Sequence, residues 1–220
     1  GAEAREVRLP LEYPRHHSEP FLSREECARL RRRAAKELRF AAASVGSGSV
    51  GSDSVAVATD ARRARYAAVP REHRLFGPIY ERLWRLANAT NERRWRFALA
   101  PETMEIMQYS VYESKDRGTY DWHEDVGFHS GTSARALSAT VQLSEDGAYS
   151  GGDLVLRVGR YEIAAPREVG TVIFFPSHVT HRVAEVTSGS RHSLVLWLQL
   201  DAAAAETAAW PVPRPCGTGA

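Results

Sequence analysis

The N-terminal part of the chain carries apolar residues at helical spacing. Residues 23–39 place small or apolar side chains every three or four positions, and Ser23 with Glu26 forms a capping box at their start. A second such stretch runs from about Arg71 to Asn88, interrupted only mildly by Gly77-Pro78. Its apolar stripe consists of Leu75, Ile79, Leu83 and Leu86. The pattern therefore predicts two helices.

Beyond the second stretch the apolar period changes from helical spacing to two. Short alternating or apolar segments are separated by Gly, Pro, Ser and Asp, which favour turns. The segments are RWRFALAP, TMEIMQYSVYE, ARALSATVQLS, GDLVLRVG, YEIAAP, GTVIFFP, THRVAEV and RHSLVLWLQL. Each is predicted to be a strand, and a hairpin through the TSG that precedes Arg191 is expected to separate the last two.

Helices followed by about eight strands predict an α+β domain whose core is a two-sheet sandwich or barrel such as a jelly roll. Neither an internal repeat nor a linker is evident, so one domain is expected over residues 1–220. Its parts are a helical layer over about 20–90, a core over about 95–200 and a loose tail over about 208–220. The Gly/Ser-rich stretch 44–54 is expected to be a loop.

Two strands carry information in their faces. In ALSATVQL, the odd-numbered positions are apolar, while Ser138, Thr140 and Gln142 share the other face. A strand of this kind is suited to line a polar cavity. In RHSLVLWLQL, Arg191 shares a face with Trp197, and an arginine in a buried setting needs a partner.

Composition narrows the class of protein. Hydrophobic residues make up 43% and charged residues 25% of the chain, and the formal net charge is +2. These values are ordinary for a globular protein and give no case for a nucleic-acid or membrane partner. The two cysteines, Cys27 and Cys216, fit no metal spacing or disulfide framework, and no apolar run approaches a membrane span. We therefore expect a cytoplasmic protein.

The candidate chemistry begins with His123 and Asp125. In an extended segment these residues point to the same side, as two ligands of one metal would, although a solvated loop offers an ordinary alternative. His178 and His181 are candidates for a third ligand. We favour His181, since it precedes a strand and lies ten residues before Arg191. Two histidines and a carboxylate form the facial triad of non-haem Fe(II) sites, which leaves coordination positions open.

These residues carry a resemblance to a known family. The stretches GTYDWHED, RALSATVQLS, YSGGDL, FPS and HRV…VTSGSR make the segment 109–197 similar to the Fe(II)- and 2-oxoglutarate-dependent dioxygenases, most closely to their prolyl-4-hydroxylase-like branch. The resemblance implies a double-stranded β-helix (jelly-roll) core behind an N-terminal helical layer. It also implies Fe(II), 2-oxoglutarate as cosubstrate, and O2.

The resemblance also implies residue roles. Metal ligation falls to His123, Asp125 and His181, and the distal carboxylate of 2-oxoglutarate to Arg191. Tyr112 is expected to bind that carboxylate too, with Tyr109 and Tyr120 as alternatives. The remaining expected contacts are Thr140 and Gln142 with 2-oxoglutarate, and Tyr120, Trp122 and Phe128 with substrate.

The implied activity is hydroxylation of an unactivated C–H of an amino-acid side chain, free, peptidyl or in a natural product, coupled to conversion of 2-oxoglutarate into succinate and CO2. Asp125 favours hydroxylation, since related halogenases lack this carboxylate. Desaturation, cyclisation or demethylation at the same iron site is the alternative, and a non-catalytic β-sandwich binding module is a more distant one. The loops 44–54 and 113–119 are candidate lids, and DARRARY (60–66) is either a solvated face or a contact for an acidic substrate.

Overall fold

The computed structural model describes residues 20–42, 61–127 and 134–203. These residues form two helices and thirteen strands in two antiparallel sheets. The loop 44–54, the substrate candidate Phe128 and the tail from 208 lie outside the described residues. Neither described helix is long and apolar enough to cross a membrane.

The first helix, α1 (Arg24–Glu37), begins where its capping box predicts. The Ser23 hydroxyl accepts a hydrogen bond from the Glu26 amide at 3.1 Å, and the Glu26 carboxylate accepts one from the Ser23 amide at 2.7 Å. Two amide donors of the first turn are thereby satisfied. The buried side chains of α1 are Cys27, Leu30 and Ala34, which recur at helical spacing.

The second helix, α2 (Gly77–Arg94), starts later and ends later than predicted. Gly77-Pro78 does not interrupt the helix but begins it, because proline lacks only an amide that a first turn leaves unpaired. Residues from Arg71 form turns instead, and a Cβ on Gly77 would lie 2.4 Å from the Arg71 carbonyl oxygen. At the other end the Asn91 side chain bonds both backbone groups of Phe97.

The strands follow the predicted segments in most of the second half of the chain. The segment RWRFALAP is one exception, because its first half closes α2 and enters a loop before a strand begins at Leu99. Residues 119–123 and 149–151 also form strands, although neither stretch was among the predicted segments. Three short strands, β1 to β3, lie inside the range expected to be helical, and no alternation had signalled them. The strands are β1 (Ala41–Ala42), β2 (Arg62–Arg63), β3 (Arg65–Val69), β4 (Leu99–Met104), β5 (Met107–Glu113), β6 (Thr119–His123), β7 (Arg135–Gln142), β8 (Tyr149–Gly151), β9 (Leu154–Val158), β10 (Tyr161–Ala164), β11 (Val172–Pro176), β12 (His181–Val183) and β13 (Val186–Leu200).

The two sheets face each other as a jelly roll, which confirms the predicted α+β class. The major sheet runs β1-β3-β5-β13-β7-β11, with β4 and β8 also paired to β13, and the minor sheet runs β10-β9-β12-β6-β2. The helices cover the outer face of the major sheet, since the apolar positions of β7 share one buried cluster with residues of α1 and α2. A smaller apolar cluster that includes Leu156 and Phe175 joins the sheets on the inside.

The predicted hairpin through Thr187-Ser188-Gly189 is wrong. Val186–Leu200 is a single strand that pairs first with β8 and then with β5 and β7. Gly189 has a φ of 66°, and a Cβ there would lie 2.1 Å from the Ala148 carbonyl oxygen. Glycine thus allows a local irregularity without reversing the chain.

Candidate metal centre

Three residues from the minor sheet and the loop after it form a compact donor cluster. One ligand atom from each of His123, Asp125 and His181 lies within 4.8 Å of the others. His123 ends β6, His181 begins β12, and the two are directly paired across the strands. Paired residues present their side chains on the same face of a sheet. The structure therefore brings together all three predicted ligands.

Both imidazole rings are oriented by their backbone surroundings. The Nδ1 atom of His123 lies 2.7 Å from the Asp121 carbonyl oxygen, and the Nδ1 atom of His181 lies 2.8 Å from the Val179 carbonyl oxygen. A ring that donates from Nδ1 leaves the Nε2 lone pair free for a metal. Both Nε2 atoms face the Asp125 carboxylate, at 3.8 and 3.5 Å.

The pKa values of His123 and Asp125 are shifted towards the protonation states that bind a cation. Burial, with a further contribution from His181, lowers the pKa of His123 to about 4, so the ring is neutral near pH 7. Burial raises the pKa of Asp125, but His181, His123 and the Ser138 hydroxyl outweigh it, and the net direction is downward. Neutral imidazoles and an ionised carboxylate are the protonation states that bind metal.

The carboxylate of Asp125 is held by the major sheet. Ser138 donates its hydroxyl to Oδ2 of Asp125 at 2.6 Å, and the Ser138 and Ser177 hydroxyls lie 3.0 Å apart. The Asp125 amide donates to the Ser177 carbonyl at 2.9 Å. Ser138 therefore fixes one carboxylate oxygen and orients the other. Sequence reasoning had noted the polar face of β7 but had not assigned Ser138 a role.

Arg135 provides a second anchor that the sequence analysis missed. Its guanidinium donates to both carboxylate oxygens of Glu105 at 2.6 Å and to the backbone carbonyl of Asp125 at 3.1 Å. Its charged group also lies 4.0 Å from the Trp197 ring centroid. The pairing with Glu105 compensates the burial of this arginine. Its long-range partners gave no local signal in the sequence.

Arg191, on β13, is buried with an exposure of 1%. One guanidinium nitrogen donates to the Gln142 side-chain oxygen at 2.9 Å, and Tyr112 lies opposite on β5, with its ring centroid 5.6 Å from the guanidinium carbon. Among the described residues no carboxylate lies within ion-pair distance of Arg191, and its Nε atom is buried without an acceptor. A buried cation in this state is suited to an anionic ligand.

Two further residues considered as contacts for 2-oxoglutarate, Thr140 and Tyr109, lie on different faces of the major sheet. Thr140 is buried on β7 between Ser138, which binds Asp125, and Gln142, which binds Arg191. Tyr109 lies on the opposite face of β5 from Tyr112, against Phe76 of the helical side. Of the alternatives to Tyr112, Tyr109 is therefore turned away from the cavity.

Tyr120 and Trp122 are separated by an irregularity in β6. On β12 the step from His181 to Val183 matches the step from His123 to Tyr120 on β6, so β6 carries one extra residue. This bulge turns Tyr120 to the side of His123, where the two rings stack with centroids 3.5 Å apart. Trp122 lies on the other face, with the Arg157 and Arg182 guanidinium carbons 3.9 and 4.6 Å from its ring centroid.

The predicted position of Trp122 on the wall of the cavity does not agree with this placement, because the bulge separates it from His123. Of the two candidate histidines, His181 lies in the donor cluster and His178 does not.

The loop 113–119 is a short turn closed by ion pairs. A 3₁₀ turn spans Ser114–Asp116, and Arg117 follows in the left-handed region with a φ of 50°. The Arg117 guanidinium bonds Glu185 at 3.1 Å, and the Glu113 carboxylate bonds Arg65 at 2.7 Å. Exposed pairs such as these fasten the turn only weakly.

Comparison with known proteins shows which family of enzymes this chain is similar to. Residues 107–199 match the family model described as the 2OG-Fe(II) oxygenase superfamily. A PKHD-type hydroxylase of Acinetobacter baumannii is 38% identical over 93 residues, which are 36% of this chain and 40% of that protein. The PKHD-type hydroxylase YbiX of Escherichia coli is 31% identical over 147 residues, 64% of this chain and 58% of the relative. The chain thus spans only about half the length of the curated relatives that it matches.

Two solved structures share the fold. A prolyl-4-hydroxylase of Pseudomonas putida superposes with a TM-score of 0.62 at 19% identity, over 87% of this chain and 92% of that one. A prolyl hydroxylase of Trichoplax adhaerens, solved with a peptide fragment of hypoxia inducible factor, superposes with a TM-score of 0.69 at 14% identity. The latter match covers 90% of this chain and 87% of the other. These similarities confirm the predicted double-stranded β-helix.

Proposed function

We propose that the chain is an Fe(II)- and 2-oxoglutarate-dependent hydroxylase of the 2OG-Fe(II) oxygenase superfamily, whose family model matches residues 107–199, and that it belongs to the prolyl-4-hydroxylase-like branch. The proposed reaction is hydroxylation of an unactivated C–H bond of an amino-acid side chain, free, peptidyl or in a natural product. The observation that carries the proposal is the cluster of His123, Asp125 and His181, with both Nε2 atoms directed at one carboxylate.

The donor set fits the metal that this reaction needs. Two imidazole nitrogens and one carboxylate oxygen suit Fe(II) and leave positions for further ligands. Fe(II) held by these three residues would supply the redox chemistry of a reaction that consumes O2 and converts 2-oxoglutarate into succinate and CO2. The protein's part is to keep His123 neutral and Asp125 ionised, which the burial of His123 and the hydrogen bond from Ser138 to Asp125 favour.

Arg191 is the proposed anchor of 2-oxoglutarate. Its guanidinium is buried and lacks a carboxylate partner within the described chain, and a permanently charged planar group suits the distal carboxylate of this cosubstrate. Gln142 orients the guanidinium through its side-chain oxygen, and Tyr112 packs against it. Thr140, between the two ends of the polar face of β7, is a proposed contact for the body of the cosubstrate.

Aromatic side chains shield the site from water. The Phe175 ring centroid lies 4.7 Å from that of His181, and Tyr120 stacks on His123. Shielding of this kind strengthens the polar interactions inside the cavity. Tyr120 is also a proposed substrate contact.

We propose that residues 20–203 act as one domain, since a single apolar cluster extends from Leu22 to Leu200 across the helices and the major sheet.

Anaerobic titration tests the proposal. Addition of Fe(II) and then 2-oxoglutarate to the protein should produce a weak visible charge-transfer band, which reports a keto acid bound to iron. His123→Ala should abolish the band, whereas His178→Ala, outside the donor cluster, should retain it. If the wild-type protein gives no band, the proposed function fails. Loss of the band in both variants would instead refute the choice of ligands.

A further inference from the structure

A second arginine near the metal cluster lacks an acidic partner. The buried arginines among the described residues are Arg62, Arg135 and Arg191, exposed by 8%, 5% and 1%. Arg135 is paired with Glu105, and Arg191 is the proposed anchor of 2-oxoglutarate. Within the described part of the chain Arg62 has no carboxylate within ion-pair distance, and its Nε atom is buried without an acceptor. No acidic residue in the described part of the chain therefore offsets the cost of burying the Arg62 guanidinium.

The strand register places Arg62 on the side of the metal cluster. Arg62 on β2 is paired directly with Tyr120 on β6, so the two side chains share a face. The bulge in β6 gives Tyr120 the same face as His123. Arg63 has the opposite orientation and contacts Glu185 at 3.6 Å. Of the two arginines of β2, only Arg62 therefore faces the cavity.

The contacts of Arg62 are aromatic. Its guanidinium carbon lies 4.5 Å from the Tyr120 ring centroid and 5.8 Å from that of Tyr66. Cation–π contact offsets part of the cost of burying a guanidinium but satisfies none of its N–H donors. His123 covers one face of the Tyr120 ring, at a centroid distance of 3.5 Å. Arg62 therefore lies one aromatic ring away from a proposed metal ligand.

The proposed cosubstrate cannot supply the missing anion. 2-Oxoglutarate has two carboxylates, of which one would be used at the metal and the other is assigned to Arg191. The described residues place no carboxylate within ion-pair distance of Arg62, and the substrate, which has to enter the same site, can bring one. Guanidinium and carboxylate match in geometry as well as in charge.

We propose that Arg62 binds a carboxylate of the substrate, with Tyr66 and Tyr120 lining the adjacent surface; this rests on the proposed function. The substrate class is then a carboxylate-bearing amino acid or peptide. Two sources share this chemistry: the α-carboxylate of a free amino acid or of a peptide's last residue, and an acidic side chain within a peptide. A neutral internal peptide segment is excluded.

The test compares acids with their amides. Each proteinogenic amino acid is supplied as free acid and as α-amide, and N-acetylated peptides are supplied with free or amidated C-termini, with and without an acidic residue. The readout is succinate formed above the rate without added substrate. Stimulation is expected only from members that carry a carboxylate. Amidated peptides with an acidic residue identify the side-chain source.

Variants of the two arginines of β2 test whether the response to a carboxylate depends on Arg62. Arg62→Gln should raise the KM for the stimulating acid about 10- to 100-fold, as expected for loss of a charge-assisted hydrogen bond, and should leave the KM for 2-oxoglutarate within about 2-fold. Arg62→Lys should restore part of the loss. Arg63→Gln removes the same charge from the other face of β2 and should change neither value.

Three results would overturn the inference. They are equal stimulation by acids and their amides, stimulation by no carboxylate-bearing member, and a rise in the KM for 2-oxoglutarate in Arg62→Gln. The acid–amide comparison uses the wild-type protein and stands even if a variant does not fold. Each of these results leaves the charge-transfer band of the Fe(II) and 2-oxoglutarate complex intact, so failure of the inference is distinct from failure of the proposed function.

Discussion

Replacing Arg191 by methionine separates cosubstrate binding from metal binding. The guanidinium contacts Gln142 and Tyr112 but none of the three proposed metal ligands. Hydrogen bonds between charged groups contribute about 1.5–3 kcal/mol. At about 1.4 kcal/mol per factor of ten, the KM for 2-oxoglutarate should rise roughly 10- to 150-fold. The affinity for Fe(II) in the absence of 2-oxoglutarate should stay within about 2-fold of the wild-type value.

The same substitution should leave the folded protein intact. Arg191 has no carboxylate partner in the described chain, so methionine removes a buried charge without leaving an opposite charge exposed to the interior. The hydrogen bond from Arg191 to Gln142 contributes about 1.5–3 kcal/mol, and the removal of guanidinium desolvation offsets it. The free energy of unfolding should therefore change by less than about 1 kcal/mol.

Two measurements check this prediction. Steady-state succinate formation at varied 2-oxoglutarate gives the KM, and anaerobic metal titration gives the Fe(II) affinity. Ser138→Ala is the complementary control, because Ser138 contacts the Asp125 carboxylate and not Arg191. A similar loss of both affinities in Arg191→Met, at unchanged stability, would refute the assignment of Arg191 to the cosubstrate.

Three further predictions follow from individual contacts. Ser138→Ala should weaken Fe(II) binding about 10- to 100-fold, as is typical for groups that orient a metal ligand. Metal titration of the variant measures this, and an unchanged affinity would contradict the role of the 2.6 Å hydrogen bond from Ser138 to Asp125. Gly189→Ala should lower the free energy of unfolding by at least about 2 kcal/mol, because the added Cβ would lie 2.1 Å from the Ala148 carbonyl oxygen and residue 189 has a φ of 66°. Urea unfolding measures this, and an unchanged unfolding midpoint would disprove the close approach. Burial lowers the pKa of His192 to about 4, so between about pH 6.5 and pH 4 the unfolded chain binds a proton that the folded one does not, and stability falls as the pH drops. Wild-type protein should lose about 2 kcal/mol more than His192→Gln between pH 7 and pH 5 in urea titrations, and equal losses would refute the linkage.

The cluster of His123, Asp125 and His181 could be predicted because its signals are short in sequence or fixed in spacing. His123 and Asp125 are two residues apart, and the ten-residue step from His181 to Arg191 falls within one β12–β13 unit. The two faces of β7 were also readable, because strict alternation separates residues that pack on helices from residues that face the cavity. These features depend on local geometry alone.

The supports of the site could not be predicted because they depend on distant pairing. Arg135 meets Glu105 from thirty positions away, and Arg62 faces the cavity only because β2 pairs with β6. Neither contact leaves a periodic signal in the sequence. The start of α2 was misjudged for a different reason, since Gly77-Pro78 is compatible with a mild break and with a first turn, and the packing of Gly77 against Arg71 decides between them.

The bulge in β6 explains why the predicted substrate wall was only partly consistent with the structure. Alternation with a period of two puts Tyr120 and Trp122 on one face and His123 on the other. One extra residue between Tyr120 and His123 reverses this relation, so Tyr120 joins the metal ligand and Trp122 packs between Arg157 and Arg182. Because Tyr120 pairs with Arg62 of β2, the same bulge also puts Arg62 on the face of His123. The proposed carboxylate site thus depends on a backbone irregularity beside the metal ligands, where bulges commonly redirect side chains.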